Sequence, residues 1–160
     1  MKTLIIVPAY NEQESIAGTL YDLIEYSAKY DFDIIVINDG SADNTGNICR
    51  DMGVACINLP FNMGLAAAFK TGIKFAKEND YDIAIQFDAD GQHIAEYIND
   101  LQKMVNAGCD IAIGSRSELH RAKLSERQIG ALIIRGGIKL TTGKTILDPT
   151  SGMRAYSKRK

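Results

Sequence analysis

No Gly-x-Gly-x-x-Gly follows the first apolar run of this 160-residue chain, and no Gly-x-x-x-x-Gly-Lys-Ser/Thr occurs anywhere in it. The first absence argues against a Rossmann dinucleotide site and the second against a P-loop. Only two histidines are present, His93 and His120, and neither suggests a Ser-His-Asp set. No run approaches the roughly 20 apolar residues that a spanning helix needs, so membrane contact within this segment is expected to be peripheral. The N-terminal M-K-T-L-I-I-V is broken by Pro8 too soon for a signal peptide. Cys49, Cys56 and Cys109 are odd in number and form no C-x-x-C. They read as reduced core thiols of a cytosolic protein. No repeat, low-complexity segment or linker divides the chain, and no nucleic-acid-binding motif occurs in it.

What is present fits a single globular domain: 46% hydrophobic and 24% charged residues. The net charge of −2 hides an asymmetry. Residues 1–114 carry 7 Lys/Arg against 17 Asp/Glu, and residues 115–160 carry 11 against 3. A basic second part suits phosphate groups or an anionic membrane surface better than duplex nucleic acid. A solvated basic helix face accounts for the charge equally well.

Apolar runs at 4–7, 34–37, 54–57, 83–87 and 110–113 read as short buried strands. Between them, helical periodicity covers about 11–29, 44–52, 62–79 and 93–106. Asn11 with Glu14 reads as a capping box for the first helix. Residues 127–142 can form another helix, weakened by Gly130, Gly136 and Gly137. After the turn chemistry of Asp148-Pro149-Thr150-Ser151-Gly152 no further element is evident. Regular alternation predicts an α/β fold, a mostly parallel sheet with helices on both faces.

The most informative stretch is I-A-I-Q-F-D-A-D-G-Q-H at 83–93. A buried strand ends abruptly in two carboxylates, Asp88 and Asp90. Two acids this close are costly to hold together without a cation. Carboxylate and amide oxygens suit Mg²⁺ or Mn²⁺ bridging to a diphosphate. A plain surface turn is the bland alternative. Tyr10 and Glu12 follow the first strand and Asp39 the second. In a doubly wound sheet all these strand ends share one edge, where such sheets bind ligands. An aromatic ring, a carboxylate able to accept from a base or ribose, and a metal site would lie together there. Asp39 could instead serve as a turn former in N-D-G-S.

V-P-A-Y-N-E at 7–12, V-I-N-D-G-S-A-D-N-T at 36–45, N-M-G at 62–64, D-A-D-G-Q-H at 88–93, G-S-R at 114–116 and D-P-T-S-G-M-R at 148–154 carry a resemblance. As an ordered set they resemble the family 2 inverting glycosyltransferases, and most of all their polyprenyl-phosphate, dolichol-phosphate mannose synthase-like branch. The resemblance implies a GT-A fold, a nucleotide-diphosphate sugar donor and a divalent metal, Mg²⁺ or Mn²⁺. Carried over, it puts Pro8, Tyr10, Glu12 and Asp39 in the nucleoside pocket, with Asp88 by the ribose or the metal. Asp90 and Gln92 would hold the metal against the diphosphate, and Arg116 would face donor or acceptor phosphates. Ser125, Arg127 and Arg154 are acceptor-phosphate candidates.

The implied reaction is displacement with inversion at the anomeric carbon. A lipid-phosphate acceptor is already ionised near neutral pH and needs no strong base. A sugar-hydroxyl acceptor would need one, and Asp148 is the only acid after Glu126. The favoured expectation is a hexosyltransferase acting on a polyprenyl phosphate, cytoplasmic and peripheral at the inner face of the membrane. Transfer to a sugar hydroxyl, a non-catalytic nucleotide-sugar binding module and a nucleotidyltransferase are the alternatives. Related enzymes usually continue past the last motif, so 1–160 is expected to be one GT-A domain cut short at its C-terminus.

Overall fold

The structure, a computed structural model, describes residues 1–91, 93–114, 139–141, 143 and 151–158. In chain order the elements are β1 (Thr3–Ala9), α1 (Ile16–Tyr30), β2 (Phe32–Asn38), α2 (Thr45–Asp51), β3 (Ala55–Asn58), α3 (Leu65–Glu78), β4 (Ile83–Gln86), a 3₁₀ turn (Ala95–Tyr97), α4 (Ile98–Asn106), β5 (Ile111–Ile113) and β6 (Arg154–Ser157). They build a six-stranded sheet in the order β3-β2-β1-β4-β6-β5. The β3-β2-β1-β4 block is parallel, and β6 runs antiparallel to both its neighbours.

Successive side chains of a strand face opposite sides of the sheet, and the two cores follow that alternation. Ile5, Val7, Ile83, Ile85 and Phe87 join Leu20 and Leu23 of α1 and Ile98, Leu101 and Val105 of α4. Leu4, Ile6, Ile35, Ile37 and Ala84 meet Ala68 and Ala76 of α3 on the other side. β1, β4 and most of β2 are therefore buried along their length, because neither face of the sheet sees water there. Each fully buried Ile or Leu contributes about 1.5–3 kcal/mol.

Three expectations change. The Asn11–Glu14 capping box does not form, and α1 begins only at Ile16, after Ser15. Asn11 takes a left-handed φ of 54°, and its Oδ1 accepts the Ala42 N–H at 2.9 Å. The Asn11 N–H donates to Ser41 Oγ at 2.9 Å and the Glu12 N–H to Thr45 Oγ1 at 2.9 Å. The loop after β1 is thus laced to the loop after β2, and tertiary bonds outbid the local cap. Second, the helix expected over 93–106 opens as a 3₁₀ turn before α4 takes over. Third, β6 was not foreseen. Its four residues, R-A-Y-S, form no apolar run, yet they fill the gap between β4 and β5. Of the helix expected over 127–142, only the helical residues 139–141 are described before position 142.

Candidate functional site

The carboxyl ends of β1, β2 and β4 open on a cleft of about 390 Å³. Pro8, Tyr10, Glu12, Asp39, Asp88 and Asp90 all line it, so six residues singled out from the sequence meet in one hollow. Asn62, Gly64, Leu65 and Ala68, from the start of α3 and the turn before it, add a further wall. Tyr10 is exposed at the rim rather than packed over the sheet edge.

Asp39 is 3% exposed and already engaged. Its Oδ1 accepts the Met63 N–H and its Oδ2 the Gly64 N–H, both at 2.8 Å. The carboxylate thereby stands at the N-terminus of α3, where the helix dipole favours an anion. The turn-forming bond within N-D-G-S comes from its neighbour: Asn38 Oδ1 accepts the Ser41 N–H at 3.2 Å. Gly40, with φ 67°, lies so close to Phe61 and Asn62 that a Cβ there would strike their backbone. Glu12 accepts a short bond from the Ser15 hydroxyl.

Asp88 and Asp90 are held differently. Asp88 Oδ1 accepts from Gln86 Nε2 at 3.1 Å. The Asp88 backbone N–H donates to His93 Nδ1 at 2.9 Å, and His93 Nε2 lies 3.4 Å from Asp88 Oδ2. A Cβ at Gly152 would overlap the Asp88 carboxylate, so only glycine lets the 151–153 backbone pass there. The Ala89 carbonyl, between the two acids, accepts the Thr19 hydroxyl at 3.1 Å. Asp90 itself is exposed to the cleft.

None of Thr19, Gln86, His93 and Gly152 was assigned a site role from the sequence, and two carried a readable signal. Gln86 is a polar residue inside the apolar run I-A-I-Q-F, and Thr19 sits on the buried stripe of α1 beside Ile16, Leu20 and Leu23. His93 is nearly buried, with its ring edge-on to Phe87 at 5.2 Å.

Among the described residues no three His, Cys, Asp or Glu gather into a preformed metal cage. A pair of carboxylates beside an open cleft still fits a hard cation that completes its shell with substrate phosphate oxygens and water. Arg154 stands on β6 opposite Gln86. Its Nε donates to the Ser151 carbonyl at 2.7 Å, and it does not line the cleft. Gln92, Arg116, Ser125, Arg127 and Asp148 lie outside the described residues. No described helix is long and apolar enough to cross a membrane.

Comparison with known proteins agrees with this geometry. The chain is 38% identical to an uncharacterized protein of Methanocaldococcus jannaschii, over 96% of the chain and 63% of that protein. It is 33% identical to UDP-N-acetylglucosamine–dolichyl-phosphate N-acetylglucosaminyltransferase of Methanococcus voltae, over 96% and 68%. It is 32% identical to undecaprenyl-phosphate mannosyltransferase of Micrococcus luteus, over 98% and 66%. The chain thus spans about two thirds of these relatives, and less of others. Glucosyl-3-phosphoglycerate synthase from Mycobacterium tuberculosis, crystallised with Mn²⁺, UDP and phosphoglyceric acid, superposes with a TM-score of 0.77 at 18% identity. That superposition covers 98% of the chain and 55% of the synthase, and it speaks for the fold alone. The Glycosyl transferase family 2 profile matches residues 4–160. With a sheet whose acidic strand ends share one cleft, and with a family profile running through nearly all of it, the chain belongs to glycosyl transferase family 2 and has a GT-A fold.

Proposed function

We propose that this segment is the single catalytic GT-A domain of an inverting glycosyltransferase that moves a hexose from a nucleotide-diphosphate sugar to a polyprenyl phosphate. The observation that carries the reading is the meeting of Asp39, Asp88 and Asp90 in one cleft with Pro8, Tyr10 and Glu12. In this reading the nucleoside lies along the β1–β2 side, against Tyr10 and the Asp39-bound turn. Asp88, Asp90 and Gln92 would hold Mg²⁺ or Mn²⁺ against the diphosphate. A cation bound there neutralises the charge that grows on the departing nucleoside diphosphate.

The chain's own residues supply positioning. The lacing of the two loops after β1 and β2 fixes the nucleoside side before the donor arrives, so little ordering cost falls on binding. Asp90 faces the open cleft, where it would reach the phosphates through the cation. Arg116 would orient donor or acceptor phosphates, with Ser125, Arg127 and Arg154 on the acceptor side. A phosphate acceptor needs no general base, in keeping with how few acids follow residue 114. Relatives named for dolichyl- and undecaprenyl-phosphate transfer support that acceptor class. The basic composition of 115–160 suits a peripheral position on an anionic inner membrane face.

The test is incubation with Mn²⁺, labelled nucleotide sugars and polyprenyl phosphate. Label is expected to pass into the lipid phase. Donor binding with no transfer to lipid phosphate would overturn the catalytic reading in favour of a binding module.

A further inference from the structure

We infer that His93 is a positioning residue, one that sets the Asp88 main chain and carboxylate for the donor and its cation. The inference rests on the donor-site reading and adds a residue to it. The side chain of His93 is only 5% exposed, in the wall behind the cleft. One ring nitrogen, Nδ1, accepts the Asp88 N–H at 2.9 Å, so it carries no proton of its own. The other ring nitrogen, Nε2, lies 3.4 Å from Asp88 Oδ2. Backbone and carboxylate of the same aspartate are thus both referred to a single imidazole. The ring cannot rotate freely, because its edge packs on Phe87, which is 1% exposed.

The other contacts of Asp88 leave His93 this task. Gln86 Nε2 takes Oδ1, and the Gly152 backbone closes the side of Oδ2. Neither touches the Asp88 N–H. Without the imidazole that amide would be left unpaired beside a buried aromatic ring, and the turn carrying both acids would lose one of its anchors. Groups that orient ligating carboxylates typically change metal affinity 10- to 100-fold when removed, which sets the roughly expected scale.

Two substitutions separate positioning from packing. His93→Phe keeps a ring against Phe87 and removes both nitrogens. His93→Asn restores an acceptor near the place of Nδ1. Hydrogen exchange at the Asp88 amide is measured first, with no ligand present. Protection is expected to fall about tenfold, the scale of one lost hydrogen bond, in His93→Phe and to return in His93→Asn. Affinity for a nucleoside diphosphate with Mn²⁺ should follow the same order and fall by more than the stability lost with the Asp88 N–H bond, which the thermal midpoint of each variant measures. Undiminished Asp88 protection in His93→Phe overturns the inference, as does unchanged Mn²⁺-dependent affinity once protection is lost. A parent chain that binds no nucleoside diphosphate defeats the donor-site reading instead, and the exchange measurement still decides what His93 does to Asp88.

Discussion

The two sides of the cleft are built by opposite means. On the β1–β2 side the acid is spent on the protein itself: both Asp39 oxygens take backbone N–H groups, and neighbouring loops are sewn together by Asn11, Ser41 and Thr45. On the β4–β6 side Asp90 faces the cleft, and the turn bearing it is steadied from behind by Thr19, Gln86 and His93. The first side is a scaffold whose carboxylate stabilises the fold. The second presents charge, and the cost of holding two acids close together is one that a bound cation would relieve. Mutations should therefore divide into those that lower stability and those that lower affinity.

The largest effect expected is on affinity. Asp90→Ala should weaken Mn²⁺-dependent nucleoside-diphosphate binding by about two orders of magnitude, roughly 2.8 kcal/mol, in calorimetric titration. Its denaturation midpoint should move much less than Asp39→Ala moves it, since Asp90 is exposed. Metal-dependent binding left intact would break the contrast at its strongest point. Asp39→Ala should show the reverse pattern. Leaving the Met63 and Gly64 amides without their charged acceptor should cost about 1.5–3 kcal/mol in chemical denaturation. A midpoint equal to the parent's would mean that Asp39 is no scaffold. Thr19→Val tests the support behind the acids, and should cost about 1 kcal/mol by removing the bond to Ala89. Donor affinity in that variant should fall more than stability alone accounts for.

The smallest effect lies away from the cleft. Lys158 Nζ donates to Asp80 Oδ1 at 2.8 Å, tying the end of β6 to the turn before β4. The bond and the ammonium charge hold the Asp80 carboxyl below its ordinary value of 3.8. The sign follows: the tie is complete above that ordinary pH and is lost as pH falls through the lower folded value. In Lys158→Ala the carboxyl titration, followed by NMR, should move up, with no resolvable change in thermal midpoint at neutral pH. Equal titration midpoints would show that the pair does not persist in solution.

This division also explains what could be read from the chain before its fold was known. Strands such as 4–7 and 34–37 declare themselves because both sheet faces are buried, which leaves unbroken apolar runs. The acids at the strand ends were legible for the same reason, as abrupt charge after hydrophobic runs. What escaped was whatever depends on pairing across distance. Asn11 looks like a helix cap until Ala42 claims its side chain. Thr19 and Ala89 are 70 positions apart, and no local pattern joins them. The R-A-Y-S segment has the composition of a loop, and becomes β6 only because β4 and β5 leave a slot of its width.

That slot has a consequence for how the molecule comes together. During synthesis β5 leaves the ribosome about forty residues before the strand that joins it to the sheet, and these strands pair at high sequence separation, which is slow. Until β6 arrives, the open edge of β4 and the short ladder of β5 would each offer unpaired backbone groups to any passing chain. The same strand follows Gly152, which walls in Asp88, so its addition to the sheet also brings in part of the acid's surroundings. A nascent chain would then complete the Asp88 side of the cleft only as β4 and β5 gain the partner they share.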